Sequence, residues 1–199
     1  MNKLFIASNN IHKISEIIEI MNPDEEFRIY SSRDFGICID VEENGITLEE
    51  NAFKKALKNY QVLNMPVISD DTGLFVEAIN GEPGVFSARY AGIDSTYSDN
   101  CNKLLSVMNN IPESKRSAGF ESVICLLINE TEFYFFKGIC KGLILNEIRG
   151  KNGFGYDPLF VPDGYDQTFA ELSNSVKNKI SHRALALQKF KNFIDSYSQ

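Results

Sequence analysis

The sequence lacks any long apolar segment. Its longest unbroken apolar run is Val123–Ile128, far below the roughly 20 residues that a membrane-spanning helix needs. The opening residues Met1–Ser8 hold too few apolar side chains for the central region of a signal peptide. We therefore expect a cytoplasmic protein with no membrane segment.

Motifs for zinc, disulfides and enzymatic nucleophiles are also scarce. The chain has 2 histidines, and its 4 cysteines form no Cys-x-x-Cys pair, which argues against a zinc site and favours reduced, mostly buried thiols. There is no Walker P-loop, no Gly-x-Gly-x-x-Gly motif and no Gly-x-Ser-x-Gly elbow. Because no nucleophile stands out, these absences favour water activated by a metal ion.

Positive charge is in deficit. The 20 Lys and Arg residues face 27 Asp and Glu residues, a net charge of −7, whereas proteins that bind duplex nucleic acid need a basic surface. We therefore expect no nucleic-acid partner. The apolar fraction of 43% is that of an ordinary globular protein, and the length suits a single domain over residues 1–199.

Helices and strands alternate in the hydrophobic pattern. A strand is predicted over Lys3–Ala7, and a helix begins near Ile11 with Asn9 or Asn10 as its cap. The other predicted elements are a helix from Thr47 to about Val62, a strand-like segment Val67–Val76, a helix over Ser98–Asn109, a hairpin of Phe120–Ile128 and Thr131–Ile139, and a last helix that starts at Ser181. We expect an α/β fold: an elongated mixed central sheet flanked by helices, with two lobes and an active-site cleft between them.

Two local features of these elements are predicted from the same pattern. Thr47 and Glu50 fit a capping box, and Phe53 and Leu57 lie on one face of the helix that follows. The aromatic run Phe133–Phe136 is interpreted as a core strand.

Two acidic pairs are candidate metal ligands. Asp70 and Asp71 are expected where a strand breaks at a sheet edge, and Glu42 and Glu43 precede a helix in a turn. Carboxylate oxygens are the donors that Mg²⁺ prefers. Taken alone, however, each pair is more often a solvated surface feature.

Two lysines are candidate phosphate contacts. Lys13 falls in the first turn of a helix, where the helix dipole disfavours a cation unless an anion is bound nearby. Lys55 lies off the Phe53 face of its helix and can point to a cleft. For Lys55 alone, a surface position is the commoner alternative.

The C-terminal part carries a glycine-flanked aromatic segment, Gly153–Pro158. Aromatic rings can stack on a nucleobase and a carboxylate can bind its edge, although the rings can equally pack into the core. His182 and Arg183 begin the last helix, directly after two lysines.

These segments together resemble the inosine triphosphate pyrophosphatase family, also called the Ham1-like or non-canonical purine nucleoside triphosphate pyrophosphatases. The resemblance rests on six blocks in family order: Ala7–Lys13, Glu50–Ala56, Ser69–Leu74 continuing through Gly81–Gly84 to Ser87–Tyr90, Gly153–Pro158, Thr168–Leu172 and Ser181–Ala184. It implies hydrolysis of ITP, dITP and XTP between the α and β phosphates by a homodimeric enzyme with Mg²⁺ as cofactor.

The resemblance also implies the site residues. Asp71 is similar to the catalytic acidic residue and metal ligand, and Glu43, or its neighbour Glu42, to the second metal ligand. The implied phosphate-binding residues are Ser8, Asn9, Asn10, Ile11, His12, Lys13, Lys55 and Lys177, with Thr72 beside the catalytic residue. The implied base-binding residues are Phe154, Gly155, Tyr156, Asp157, His182 and Arg183, and we expect Arg183→Ala to lower discrimination between ITP and ATP more than stability.

Asn9 stands where the family usually has glycine, and we expect it to keep that turn because asparagine tolerates a positive φ. Two alternatives stay open. One is a Maf-like pyrophosphatase with another base preference, and the other is a nucleotide-binding module without turnover.

Overall fold

The computed structural model describes residues 3–22 and 27–197. Its strands are β1 Lys3–Ala7, β2 Arg28–Tyr30, β3 Val67–Val76, β4 Pro83–Gly84, β5 Ser117–Asn129, β6 Glu132–Ile144 and β7 Phe160–Pro162. Its α-helices are α1 Ile11–Met21, α2 Ser32–Phe35, α3 Leu48–Leu63, α4 Tyr97–Val107, α5 Asn174–Ile180 and α6 His182–Tyr197. Short 3₁₀ helices cover Glu77–Ile79, Ser87–Arg89 and Glu113–Lys115.

The strands form one mixed sheet in the order β2-β1-β3-β5-β6-β7, with β4 beside β3. Strand β1 is parallel to both neighbours, with Phe5 opposite Tyr30 on one side and Val67 on the other. Strand β7 pairs antiparallel with β6. The predicted α/β class with a mixed sheet is therefore confirmed.

The chain divides into two compact units, each with its own apolar core. Unit 1 comprises Met1–Asp71, Ser122–Gly138 and Arg183–Gln199, and unit 2 comprises Thr72–Glu121 and Ile139–His182. The core of unit 1 lies around Ile6, Ile17, Ile68, Leu126 and Phe190. The core of unit 2 lies around Leu74, Leu104, Phe120, Phe160 and Phe169. Among the described helices, none is both long and apolar enough to span a membrane.

The opening strand and helix match the prediction closely. Helix α1 starts after Asn10, whose side chain accepts hydrogen bonds from the backbone N–H groups of His12 and Lys13. Asn9 does not have the positive φ that we expected, since the non-glycine residues with positive φ in the described part of the chain are Asn22, Asn64 and Asn80. The exchange of glycine for Asn9 therefore causes no backbone strain here.

The strand that carries the acidic pair differs from the prediction. Strand β3 runs from Val67 to Val76 without a break and lies between β1 and β5, whereas we expected a break at a sheet edge. Asp70 and Asp71 are only 1% and 4% exposed. Successive side chains of a strand point to opposite faces, so a buried pair of this kind requires cationic partners on both faces.

Helix α3 buries a different face from the one expected. Its buried residues include Asn51, Ala52, Lys55 and Asn59, which repeat at the helical spacing, and Phe53 is only half-buried. Polar side chains are tolerated on this face because each has a partner. Asn51, for example, accepts a hydrogen bond from the Gly45 N–H at 2.8 Å, and Asn59 donates to the Lys55 carbonyl.

Two smaller expectations hold only in part. Thr47 accepts a hydrogen bond from the Glu50 N–H, but the Glu50 side chain accepts from the Ile46 N–H and not from Thr47 as a capping box requires. In the aromatic run, Phe133 is 41% exposed, whereas Phe136 packs against the core of unit 1. The alternation of a strand explains this second difference.

Candidate active site

A carboxylate–lysine cluster, Glu43, Lys55 and Asp71, lies in unit 1. The Lys55 Nζ is 2.7 Å from Asp71 Oδ1 and 3.3 Å from Glu43 Oε1, and it donates to the Asp70 carbonyl oxygen at 2.8 Å. Helix α3 supplies the lysine, strand β3 supplies Asp71, and the segment before α3 supplies Glu43. The structure thus brings Glu43 to Asp71, while Glu42 is exposed.

The two carboxyl groups of this cluster have different electrostatic surroundings. Burial raises the pKa of Asp71 to about 6, although Lys55 and Lys13 act to lower it. Burial also opposes ionisation of Glu43, but Lys55 and Lys13 more than offset it and hold the pKa of Glu43 below its ordinary value. At neutral pH both groups are therefore ionised and available to a cation.

The predicted phosphate loop lies between β1 and α1. The Ser8 Oγ accepts a hydrogen bond from the Asn10 N–H at 3.2 Å, and the Asn9 side chain donates to the Ile39 carbonyl at 3.3 Å. Ile11 and His12 are exposed in the first turn of α1. The His12 side chain is therefore open to solvent beside the start of the helix, and helix N-termini are common sites of phosphate binding.

Asp70 lies on the other face of β3 from Asp71 and is the centre of a separate ion-pair network in unit 1. Its Oδ2 is 2.9 Å from the Lys13 Nζ and 3.0 Å from Arg183 Nη2. Arg183 also pairs with Glu16 through Nη1. Burial opposes ionisation of Asp70, but Arg183 and Lys13 dominate and keep the pKa of this carboxyl well below its ordinary value.

Unit 2 holds the aromatic loop, residues Gly153–Asp157. Asp157 Oδ2 accepts hydrogen bonds from the Phe154 N–H at 2.8 Å and from the Lys177 Nζ at 2.6 Å. The Lys177 ammonium lies over the Phe154 ring, 4.9 Å from its centroid. The family resemblance implied that Lys177 binds phosphate, whereas the structure places it against Asp157 and Phe154, for which the resemblance implied binding of the base.

The remaining loop residues are packed inside unit 2. The Tyr156 hydroxyl donates to the Ser87 carbonyl at 2.9 Å, and the Gly155 carbonyl accepts from the Cys101 thiol at 3.3 Å. Burial raises the pKa of Tyr156 far above its ordinary value, so its hydroxyl stays protonated. Tyr156 therefore fixes the aromatic loop to the core of unit 2.

Two other predicted residues lie in unit 2. Thr72 follows Asp71 on β3 and is half-buried. His182 is buried, and its ring is stacked on Phe120 with 4.7 Å between centroids and 15° between planes. This stacking fixes the orientation of the imidazole.

The match to known proteins is nearly complete in length. The Ham1 family model matches residues 4–193. This chain belongs to the Ham1 family. It is 49% identical over 192 residues to a Thermoanaerobacter pseudethanolicus protein named dITP/XTP pyrophosphatase, with 96% of each chain covered. A Clostridium perfringens protein of the same name is 45% identical, again with 96% of each chain covered.

Solved Ham1 structures are similar to this fold. The Staphylococcus aureus Ham1 protein matches with a TM-score of 0.86 and 39% identity, over 98% of this chain and 100% of that one. A HAM1 protein from Coxiella burnetii matches with a TM-score of 0.88 and 38% identity, over the same shares of the two chains. The expected family and fold are confirmed.

The carboxylate oxygens of Glu43 and Asp71 are suitable ligands for Mg²⁺ that is also coordinated by phosphate. Among the described residues, no group of three or more His, Cys, Asp or Glu side chains is arranged to hold a metal ion. Glu43 and Asp71 nevertheless share one lysine partner, and Mg²⁺ is commonly held by one or two carboxylates, with phosphate oxygens and water completing its shell. The donor set therefore fits this ion.

Three neighbours of the Ham1 site residues escaped the sequence analysis. The Asn51 Nδ2 lies 3.4 Å from Asp71 Oδ2, and the Ser122 Oγ donates to Asp70 Oδ1 at 2.5 Å. Tyr97, on α4, has its ring 6.0 Å from that of Phe154. A signal existed only for Asn51, which is one helical turn before Lys55 and so shares its face.

The aromatic loop depends on Gly153. This residue has a φ of +75°, and a Cβ atom there would lie 2.1 Å from Asp157 Oδ2. Gly153→Ala is therefore expected to displace Asp157 and to lower the free energy of unfolding by about 1–3 kcal/mol. Gly164→Ala is the matched control, because Gly164 has a φ of +83° with open space around it. Equal losses of Tm in the two variants would show that the Asp157 contact is unimportant.

Proposed function

We propose that this Ham1 chain hydrolyses ITP, dITP and XTP to the nucleoside monophosphate and pyrophosphate, and so removes non-canonical purines from the nucleotide pool. The observation that carries the proposal is the carboxylate–lysine cluster of Glu43, Lys55 and Asp71, in which Lys55 and Asp71 are buried. It occurs in a chain that is 49% identical to a protein named dITP/XTP pyrophosphatase. The family's fold alone would not carry it, since function depends on the site.

In this reaction Asp71 accepts a proton of the attacking water, whose oxygen bonds to the α phosphorus while the bond from that phosphorus to the bridging oxygen breaks and pyrophosphate leaves. In the metal-free protein, burial raises the pKa of Asp71 to about 6, and a base serves best when its pKa lies near the working pH. Glu43 and Asp71 would hold Mg²⁺, and the bound ion would supply positive charge against the phosphates and lower the pKa of water. Asn51 donates to Asp71 and helps to hold the carboxylate in place.

Cationic and N–H groups of unit 1 bind the phosphates. Lys13 and Lys55 supply positive charge that offsets the charge growing on the leaving pyrophosphate. In the segment Ser8–His12, Ile11 binds phosphate oxygens through its backbone N–H group, and the other four residues also through their polar side chains. The Lys55 ammonium also donates a hydrogen bond to the Asp70 carbonyl oxygen. This bond keeps the ammonium in place when a phosphate oxygen replaces a carboxylate oxygen as its partner.

Side chains of unit 2 select the base. The Phe154 ring offers a stacking surface, and Lys177, held by Asp157 at 2.6 Å, donates to the 6-keto oxygen of hypoxanthine or xanthine. The 6-amino group of adenine is rejected there because two donors would face each other. We therefore assign Lys177 to the base, with His182 as a further base contact.

Three further properties belong to the proposal. The chain works in the cytoplasm, where the free nucleoside triphosphates are, and it forms a homodimer, as the family resemblance implies. Its net charge of −7 gives nucleic acid no electrostatic reason to bind. Sedimentation analysis tests the dimer, with a monomer at micromolar concentration as the contrary result.

Pyrophosphate release from ITP, dITP, XTP, GTP, ATP and dTTP, with Mg²⁺ and with EDTA, tests the activity. We expect fast release from ITP, dITP and XTP that EDTA abolishes, because without a divalent cation the carboxylates of Glu43 and Asp71 repel the anionic triphosphate. Release from dTTP would favour the Maf-like alternative. Binding of ITP without any release would favour a nucleotide-binding module.

A further inference from the structure

The first acidic residue of β3 is more deeply enclosed than the catalytic one. Asp70 is 1% exposed and its two oxygens contact Lys13, Arg183 and Ser122, at 2.9, 3.0 and 2.5 Å. These partners come from α1, α6 and β5. Three separate elements therefore hold one carboxylate in a single position.

The charged side chains of this network differ in their exposure to solvent. The side chains of Asp70 and Arg183 are 0% and 1% exposed, while that of Lys13 is 16% exposed. Arg183 is held on its other side by Glu16, so its guanidinium is fixed at both ends. A planar guanidinium held in this way is a rigid support for a carboxylate.

Lys13 is the member of the network that can reach a ligand. Its ammonium has three donors, and in the described part of the chain Asp70 is the carboxylate in ion-pair contact with it. Lys13 also lies in the first turn of α1, directly after the segment Ser8–His12 at which phosphate binding is proposed, and its side chain is 16% exposed.

We propose that Asp70 is a positioning residue for the hydrolysis: its carboxylate, fixed by Arg183 and Ser122, holds the Lys13 ammonium where it meets the phosphates. This inference rests on the proposed function, since it takes Lys13 as a phosphate contact. A lysine is a point charge on a flexible stem, and one buried carboxylate removes that freedom before the substrate arrives. Arg183 then acts on the phosphates through Asp70.

The kinetic consequence differs from that of a general structural defect. Asp70→Asn removes a negative charge beside the phosphates but leaves the charge of Lys13, so the KM for ITP is not expected to rise. The orientation of Lys13 is lost, and a displacement of about 1 Å can cost about 100-fold in rate. We therefore expect kcat to fall by about 10- to 100-fold with KM unchanged or lower.

A second variant covers the case in which Asp70→Asn does not fold. Arg183→Lys keeps the positive charge but loses the fork that contacts Asp70 and Glu16 together, and we expect a smaller fall of kcat, about 3- to 10-fold, at unchanged KM. Arg149→Lys is the matched control, because Arg149 forms a two-point pair with Glu171 in unit 2. It is expected to leave kcat and KM unchanged.

A spectroscopic readout makes the test independent of turnover. In protein labelled with ¹⁵N-lysine, the ion-paired Lys13 ammonium should give an observable signal, assigned by its loss in Lys13→Arg. We expect that signal to vanish or shift in Asp70→Asn, and to move on addition of inorganic pyrophosphate to the wild-type protein.

The outcomes separate the two claims. A fall of kcat at constant KM together with a changed Lys13 signal supports the positioning role. Wild-type kcat in Asp70→Asn, a raised KM at constant kcat, or an unchanged Lys13 signal overturns it. If the wild-type protein releases no pyrophosphate from ITP, the proposed function fails, while the Lys13 signal still decides whether Asp70 holds the ammonium.

Discussion

Asp71→Asn is expected to lower kcat for ITP by about 100- to 10,000-fold, the range that loss of a positioned general base produces. The amide cannot accept the proton of the attacking water and is a poorer metal ligand than a carboxylate. The Lys55 ammonium, 2.7 Å from Asp71 Oδ1, would still bind phosphate, so the KM should change little. Steady-state pyrophosphate release with saturating Mg²⁺ measures this.

The same variant should fold normally. In the metal-free protein the pKa of Asp71 is raised from 3.8 to about 6 by burial, so the folded chain binds this proton more tightly than the unfolded chain. The cost of ionising Asp71 is therefore present above about pH 6 and is relieved as the pH falls toward 3.8. A neutral amide removes that cost, and Lys55 retains Glu43 as a partner.

The control for this variant is Asp94→Asn, which changes an exposed aspartate of unit 2. It should retain wild-type turnover and Tm. Activity of Asp71→Asn within threefold of wild type would remove Asp71 from the mechanism. A large loss of Tm in Asp71→Asn would mean that its carboxylate is structural.

Arg183→Ala is expected to lower the free energy of unfolding by about 3–5 kcal/mol, the cost of removing one partner of a buried ion pair. The substitution would remove the 3.0 Å contact of Asp70 and an ion-pair partner of Glu16, and it would open a cavity, because Arg183 is 1% exposed. For a chain of this size the loss corresponds to a Tm lower by roughly 6–20 °C. Thermal and urea unfolding measure it.

The exposed counterpart of this variant is Arg149→Ala. The Arg149 side chain is 36% exposed in its pair with Glu171, and pairs at such positions contribute about 0–1 kcal/mol. Equal losses in the two variants would refute the buried network as a source of stability.

A loss of stability of this size would contradict our expectation that Arg183→Ala lowers discrimination between ITP and ATP more than it lowers stability. A base contact would lower discrimination between ITP and ATP more than stability, but both terminal nitrogens of Arg183 contact carboxylates of unit 1. The ratio of kcat/KM for ITP and ATP, measured on Arg183→Lys, decides the matter. A changed ratio at wild-type Tm would restore the base-binding role.

The elements next to the site could be predicted because local rules govern them. Asn10 caps α1, Thr47 caps α3, and the hairpin of β5 and β6 turns at the expected place. The face of α3 was predicted wrongly because Asn51, Lys55 and Asn59 are polar, and a polar residue is recognised as buried only when its partner is known.

The sequence by itself determined the family, the α/β class and the residue types of the site. Short motifs carry these properties, since a loop, a cap and an acidic pair each depend on neighbours in the chain. Ser8–Lys13 and Asp70–Asp71 could be identified without any knowledge of what they contact.

Only the tertiary structure decided which charges pair. It selected Glu43 over Glu42 beside Lys55, and it placed Arg183 on Asp70 across 113 residues of sequence. Within unit 2 it placed Lys177 against Asp157 and Phe154. The physical reason is that a buried cationic side chain needs an anionic partner to offset the free-energy cost of its desolvation. The packing of the sheet and helices, and not the local sequence, brings that partner near.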